Sequence, residues 1–252
     1  MEDGDIVITN EDEINLRQQH IVSDYSEKIA IVVGLGGIGS WIAVDLALIG
    51  IGTLILFDDD KIESSNLNRT LFKLSQVGEF KTKSVKQLIN ERRKNILVIT
   101  NEELFQAEHL KKYNGIDYFF DCSDTTRLKD SLAEVKSKIE TPPPATKGRT
   151  VITSAHSKNT NEEEVITFPI YCKLGYDGFN ATMCLNDFTT GTWGVDSSYT
   201  VTPSFFGTPQ IISALAVIEL LMKRKQVPRT VNMNVKKVIT QIEESQNLLK
   251  HN

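Results

Sequence analysis

The period of apolar and polar positions changes several times along the chain, and each change predicts an element. KIAIVV (28–33) is a β-branched run that stops at Gly34, as a strand buried on both faces does. The spacing then predicts a helix over 39–48, apolar on nearly every side, ended by GIG (50–52), where glycine supplies a left-handed cap. TLILF (53–57) is a second strand, which completes a βαβ unit with a right-handed crossover. Val85, Leu88 and Ile89 put an apolar stripe on a basic helix near 82–93, and ILVIT (96–100) and DYFF (117–120) read as further strands. Leu128, Leu132, Val135 and Ile139 recur at helical spacing.

TPPPATKG (141–148) interrupts this doubly wound pattern, because consecutive prolines cannot continue a helix. TVITSA (150–155) and EVITFPIY (164–171) are predicted strands joined by the polar HSKNTNEE. Residues 172–207 show no period and are expected to form a long crossover loop, mobile until a partner arrives. PQIISALAVIELLMKRK (209–225) is a final helix, and a polar tail with one possible strand, TVNMNVKKVIT, follows it. The fold class is therefore α/β: a Rossmann-like, mostly parallel sheet with an antiparallel C-terminal extension.

Composition narrows the function by exclusion. The net charge of −5, with both signs interspersed, lacks the basic face that nucleic-acid binding needs. The first fifteen residues are acidic and no run approaches the ~20 apolar residues of a membrane span, so a soluble, cytoplasmic protein is expected. Cys122, Cys172 and Cys184 have no CxxC spacing, which argues against a disulfide framework or a four-thiolate zinc site. His20, His109, His156 and His251 are scattered, without metal-ligand spacing.

The candidate chemistry begins at GLGGIG. Gly34 permits the tight turn, Gly36 and Gly37 let backbone approach phosphate, and Gly39 lets the helix pack close to the strand. Asp58 ends the second strand, 19 residues past Gly39, where a carboxylate grips ribose hydroxyls. This much says nucleotide without separating NAD from ATP. DDDKIESSNLNRT then places Asp58, Asp60, Asn66 and Arg69 within twelve residues beyond the strand. A dehydrogenase needs no such block, whereas a phosphate-handling enzyme needs arginine against charge and carboxylates for magnesium. VGEFK adds Lys81 and DCSD adds Asp124, at the end of another strand.

Together, GLGGIG, DDDKIESSNLNR, VGEFK and DYFFDCSDT resemble the ThiF/MoeB family, the adenylating core shared with ubiquitin-activating enzymes, over roughly residues 14–225. The resemblance implies a single adenylation domain over 1–228 with a tail at 229–252. It implies ATP and magnesium as cofactors, and a substrate that is the C-terminal carboxylate of a ubiquitin-like protein or peptide. Asp58 resembles the ribose ligand, Asn66 and Arg69 the triphosphate ligands, Lys81 the phosphate-binding lysine and Asp124 the magnesium ligand. Arg17, in LRQQ, is similar to an arginine supplied across a homodimer. Many relatives hold zinc with two CxxC pairs; here only Cys172 stands at that position, so no zinc is expected.

Relatives that form a thioester place a cysteine before the last helix, and Cys184 is the candidate. Asp187 would raise its pKa, and Lys173 stands too far along the chain to offset that, so no thioester is expected on it. Two rival functions remain open: a NAD(P)- or FAD-dependent oxidoreductase using the same glycine turn, and a non-catalytic scaffold of this fold.

Overall fold

The computed structural model describes residues 14–15, 17–18, 20–113, 115–140, 168–189, 203–221, 227–238 and 240. In chain order they form β1 (Ile29–Val33), α1 (Gly39–Leu48), β2 (Thr53–Phe57), α2 (Lys81–Asn90), β3 (Leu97–Asn101), β4 (Tyr118–Asp121), α3 (Arg127–Glu140), β5 (Ile170–Asp177), β6 (Asn180–Leu185), α4 (Gly207–Leu221) and β7 (Arg229–Asn234). One seven-stranded sheet runs in the order β3-β2-β1-β4-β5-β6-β7. Neighbours from β3 to β5 are parallel, and β6 and β7 are antiparallel additions. The chain winds outward from β1 through β2 to β3, then returns to place β4 on the other side of β1. That reversal opens a crevice beyond the carboxyl ends of β1 and β4, where open α/β sheets bind ligands.

The strands follow the two-residue alternation to two cores. Ala30, Val32, Leu54, Leu56, Phe120, Cys172 and Leu174 face α1, α2 and α4. Ile31, Val33, Ile55, Phe57, Phe119 and Tyr171 face Leu128 and Leu132 of α3 together with Phe105. Helix α1 is nearly all apolar because it lies between the sheet and both neighbouring helices, burying Ile42, Ala43, Val44, Leu46 and Ala47. Gly50, at a φ of +85°, turns the chain out of it.

One expectation requires correction. The crossover loop expected from residue 172 is instead a β-hairpin through Leu185, with Asp177 paired to Asn180 across Gly178 and Phe179. Gly178, at a φ of +54°, makes the reversal. The period was hidden because the buried face of β5 carries Lys173 between Tyr171 and Gly175. The possible strand in TVNMNVKKVIT is present as β7, which extends the sheet by pairing with β6. The predicted strand at 150–155, the first half of the one at 164–171, and the 141–148 loop lie outside the described residues. Among the described residues, no helix is long and apolar enough to cross a membrane.

Candidate functional site

The turn between β1 and α1 shows why each glycine stands where it does. Gly34 has a φ of +79°, and a Cβ on it would lie 2.9 Å from the Cys122 carbonyl oxygen, so this turn and the one after β4 abut. A Cβ on Gly39 would fall 1.8 Å from the Gly34 carbonyl oxygen, which is impossible without moving backbone. A Cβ on Gly36 would meet nothing within 4 Å. Packing therefore accounts for Gly34 and Gly39 but not for Gly36, whose bare backbone faces open space at the start of α1. Ile38, at the N-cap of α1, offers no side-chain acceptor, and a helix start of this kind attracts anions.

Asp58 joins this turn to β2. Its Oδ2 accepts the Leu35 N–H at 2.5 Å and its Oδ1 accepts the Asp60 N–H at 2.9 Å. Burial pushes its carboxyl above the ordinary range, against the pull of Lys81 and of the two N–H groups. Lys81, the first residue of α2, is itself buried, with its ammonium 2.7 Å from Asp60 Oδ2 and 3.7 Å from Asp58 Oδ1. The Lys81 N–H also donates to the Asp60 carbonyl at 3.1 Å. The glycine turn, Asp58, Asp60 and Lys81 thus form one connected unit. The carboxylates of Asp58, Asp59 and Asp60 lie within 4.8 Å of one another, close enough to share a cation.

The remaining predicted residues take different places. Asn66 caps its own turn, accepting the Glu63 N–H at 3.1 Å. The Arg69 guanidinium donates to the Ser65 carbonyl at 2.6 Å and to the Asn68 side chain at 3.0 Å. Trp41 of α1 holds this segment through the Arg69 carbonyl at 3.1 Å. Asp124 is exposed on the turn after β4, at the carboxyl end of the strand beside β1. Arg17 is exposed at the opposite end of α1, because neighbouring Gln18 donates to the Leu48 carbonyl. Within one chain it is therefore remote from the glycine turn.

Cys184 lies within strand β6, not in a loop: it is 2% exposed and its sulfur accepts from the Thr230 hydroxyl at 3.4 Å. Lys173, judged too distant in sequence, is its strand partner across β5 and β6. The Lys173 ammonium is nevertheless engaged elsewhere, with Asp121 Oδ1 at 3.0 Å. Burial pushes the thiols of Cys122 and Cys172 far up, as it does the Tyr171 hydroxyl, which is also raised by Asp121.

Sequence reasoning missed the buried group built around that pair. Tyr171 donates to Asp121 Oδ2 at 2.9 Å, and the Ser123 hydroxyl donates to Asp121 Oδ1 at 2.6 Å. The signal was present in PIYCKLG: a lysine amid apolar residues of a core strand needs a buried carboxylate, and DYFFDCSD contains one.

The sequence profile of the ThiF family matches residues 14–239. Ubiquitin-like modifier-activating enzyme 5 of Aedes aegypti is 40% identical over 89 residues, which are 34% of this chain and 22% of that protein. The tRNA threonylcarbamoyladenosine dehydratase of Haemophilus influenzae is 34% identical over 120 residues, 46% of this chain and 42% of that protein. The chain thus spans less than half the length of these curated relatives. Among solved structures, E. coli MccB with MccA-N7isoASN aligns with a TM-score of 0.58 at 19% identity, covering 82% of this chain and 60% of that one, a likeness of fold. With the family profile running from before β1 to beyond β7, the chain belongs to the ThiF family.

Proposed function

We propose that the protein is an ATP- and magnesium-dependent adenylyltransferase that activates the C-terminal carboxylate of a ubiquitin-like protein or peptide, releasing pyrophosphate. The observation that carries this reading is the buried Lys81 ammonium, fixed by Asp58 and Asp60, joined to a glycine turn whose Gly36 is bare for no packing reason. A ribose and a polyphosphate together match that donor set: each Asp58 oxygen keeps a lone pair beyond those its N–H donors use. The relatives named for activating ubiquitin-like modifiers support the substrate class. Asn66 and Arg69 lie in the turn anchored to α1 through the Trp41–Arg69 hydrogen bond, and they are assigned to the triphosphate.

The proposed reaction needs no protein nucleophile. A carboxylate oxygen attacks the α-phosphorus, negative charge gathers on phosphate oxygens and on departing pyrophosphate, and cations already in place stabilise it. Lys81 and Arg69 are those cations in this chain, and the N-terminus of α1 adds its dipole. Asp124 is assigned to magnesium: its exposed carboxylate is a hard oxygen ligand beside the crevice, and a bound magnesium ion neutralises phosphate charge. Arg17, remote from its own crevice, is assigned to that of a second copy in a homodimer. A cytoplasmic enzyme suits three free thiols.

ATP–pyrophosphate exchange in the presence of proteins or peptides ending in glycine tests this reading. Exchange that requires the C-terminal carboxylate and disappears in Asp124→Ala is expected. Reduction of NAD(P) or of a flavin without exchange would replace it with the redox reading.

A further inference from the structure

Lys173 is fully buried in β5, directly opposite Asp121 of β4. One counter-ion would be enough to neutralise it, yet its ammonium makes four contacts. Besides Asp121 Oδ1 at 3.0 Å, it donates to the Ser123 carbonyl at 2.5 Å, the Ser123 hydroxyl at 3.1 Å and the Thr125 carbonyl at 2.9 Å. Asp121 Oδ1 in turn accepts the Ser123 N–H at 3.1 Å. The carbonyls held are those of the residues on either side of Asp124, whose own side chain is left exposed. The same turn touches the glycine loop, where Gly34 has room for no Cβ beside the Cys122 carbonyl. A buried ion pair contributes little stability over apolar residues of the same volume, so its use is better sought in what it orders.

We infer that Lys173 is a positioning residue: it clamps the Ser123–Thr125 turn from beneath and so fixes the Asp124 carboxylate for magnesium-dependent nucleotide binding. This rests on the nucleotide reading above and extends it to a residue that touches neither nucleotide nor metal. Partners that orient a metal ligand typically change metal affinity about 10- to 100-fold when removed.

The test is calorimetric titration of the full chain with ATP, in EDTA and at rising magnesium chloride. Lys173→Met strands the Asp121 charge, so Asp121→Asn/Lys173→Met, which replaces the pair by neutral groups, is measured beside it. In variants that fold, ATP affinity in EDTA is expected to stay within about twofold, while the magnesium concentration for half-maximal effect rises about tenfold or more. Adding the double variant to Asp124→Ala should cause no further loss of the magnesium response, since both act through one carboxylate. A folded double variant with the wild-type magnesium response overturns the inference. So does equal weakening with and without magnesium, which is what a merely structural role would cause. If neither lysine variant folds, Ser123→Ala, which removes the hydroxyl's bonds to Lys173 and Asp121, should raise the magnesium requirement about threefold, and no rise refutes the clamp. A wild-type chain that binds no ATP would refute the nucleotide reading itself, a separate failure from a wild-type magnesium response that these variants leave intact.

Discussion

Gly36→Ala and Gly39→Ala differ by three positions in one turn and are predicted to fail in opposite ways. At Gly36 the new methyl meets nothing within 4 Å and the backbone φ is not positive, so stability should hold or rise by about 0.4–1 kcal/mol through a stiffer unfolded chain. The methyl would instead occupy the space through which a phosphate approaches the N–H groups at the start of α1. A loss of at least about tenfold in ATP affinity, or ~1.4 kcal/mol, is expected. At Gly39 the methyl would sit 1.8 Å from the Gly34 carbonyl oxygen, a contact that backbone movement alone can relieve. Overpacking of that kind costs about 3 kcal/mol or more. For a chain of this size, such a loss lowers the melting temperature by roughly 6–12 °C. Paired thermal melts and ATP titrations separate the two effects. Gly36→Ala binding ATP as the wild type does, or Gly39→Ala melting as the wild type does, would refute this account of the turn.

Three further outcomes follow from particular contacts. Burial between α1 and α4 pushes the Asp45 carboxyl up to about 6, against a hydrogen bond from Ser213, so the folded state holds a proton that the unfolded state has lost. Stability therefore falls as pH rises from about 4 to 6. With partial exposure discounting the full shift, Asp45→Asn should stabilise by about 1–2 kcal/mol at pH 7 and by almost nothing near pH 4, in denaturant melts at both values; an equal gain at both would contradict the titration. Cys184→Ala should leave ATP binding unchanged and form no less of any thiol-sensitive acyl adduct than the wild type on a non-reducing gel, because the sulfur is enclosed in β6. An adduct lost in that variant would reverse the conclusion. Mixing Arg17→Ala chains with Asp124→Ala chains should restore part of the exchange activity that each lacks alone, since one hybrid site is then complete. A strictly monomeric, fully active chain in sedimentation would remove Arg17 from the site.

Strands β1 to β4 were legible because each is largely an apolar run, and the helices between them because each is apolar at helical spacing. TLILF and the helix over 39–48 coincide with β2 and α1. The glycine spacing and Asp58 were legible too, since local chain geometry places them at a strand end whatever the rest of the protein does. The β5–β6 hairpin was obscured by a mixed period: Tyr171 and Lys173 lie on one buried face, Cys172 and Leu174 on the other, and the two-residue turn Gly178–Phe179 carries its signal in a single glycine. Lys173 was obscured for a deeper reason. Its meaning depends on Asp121, 52 residues earlier, and only the pairing of β4 with β5 brings the two together. The same holds for the place of Arg17, which depends on which end of α1 the N-terminal segment packs against.

Equilibrium titration of the full chain with ATP, NAD, NADP and FAD, each with and without magnesium, decides whether this crevice binds ATP for adenylyl transfer. Saturable binding of ATP alone, strengthened by magnesium and lost in Lys81→Ala, is expected. Saturable binding of a dinucleotide that survives Lys81→Ala, with none of ATP, would contradict it.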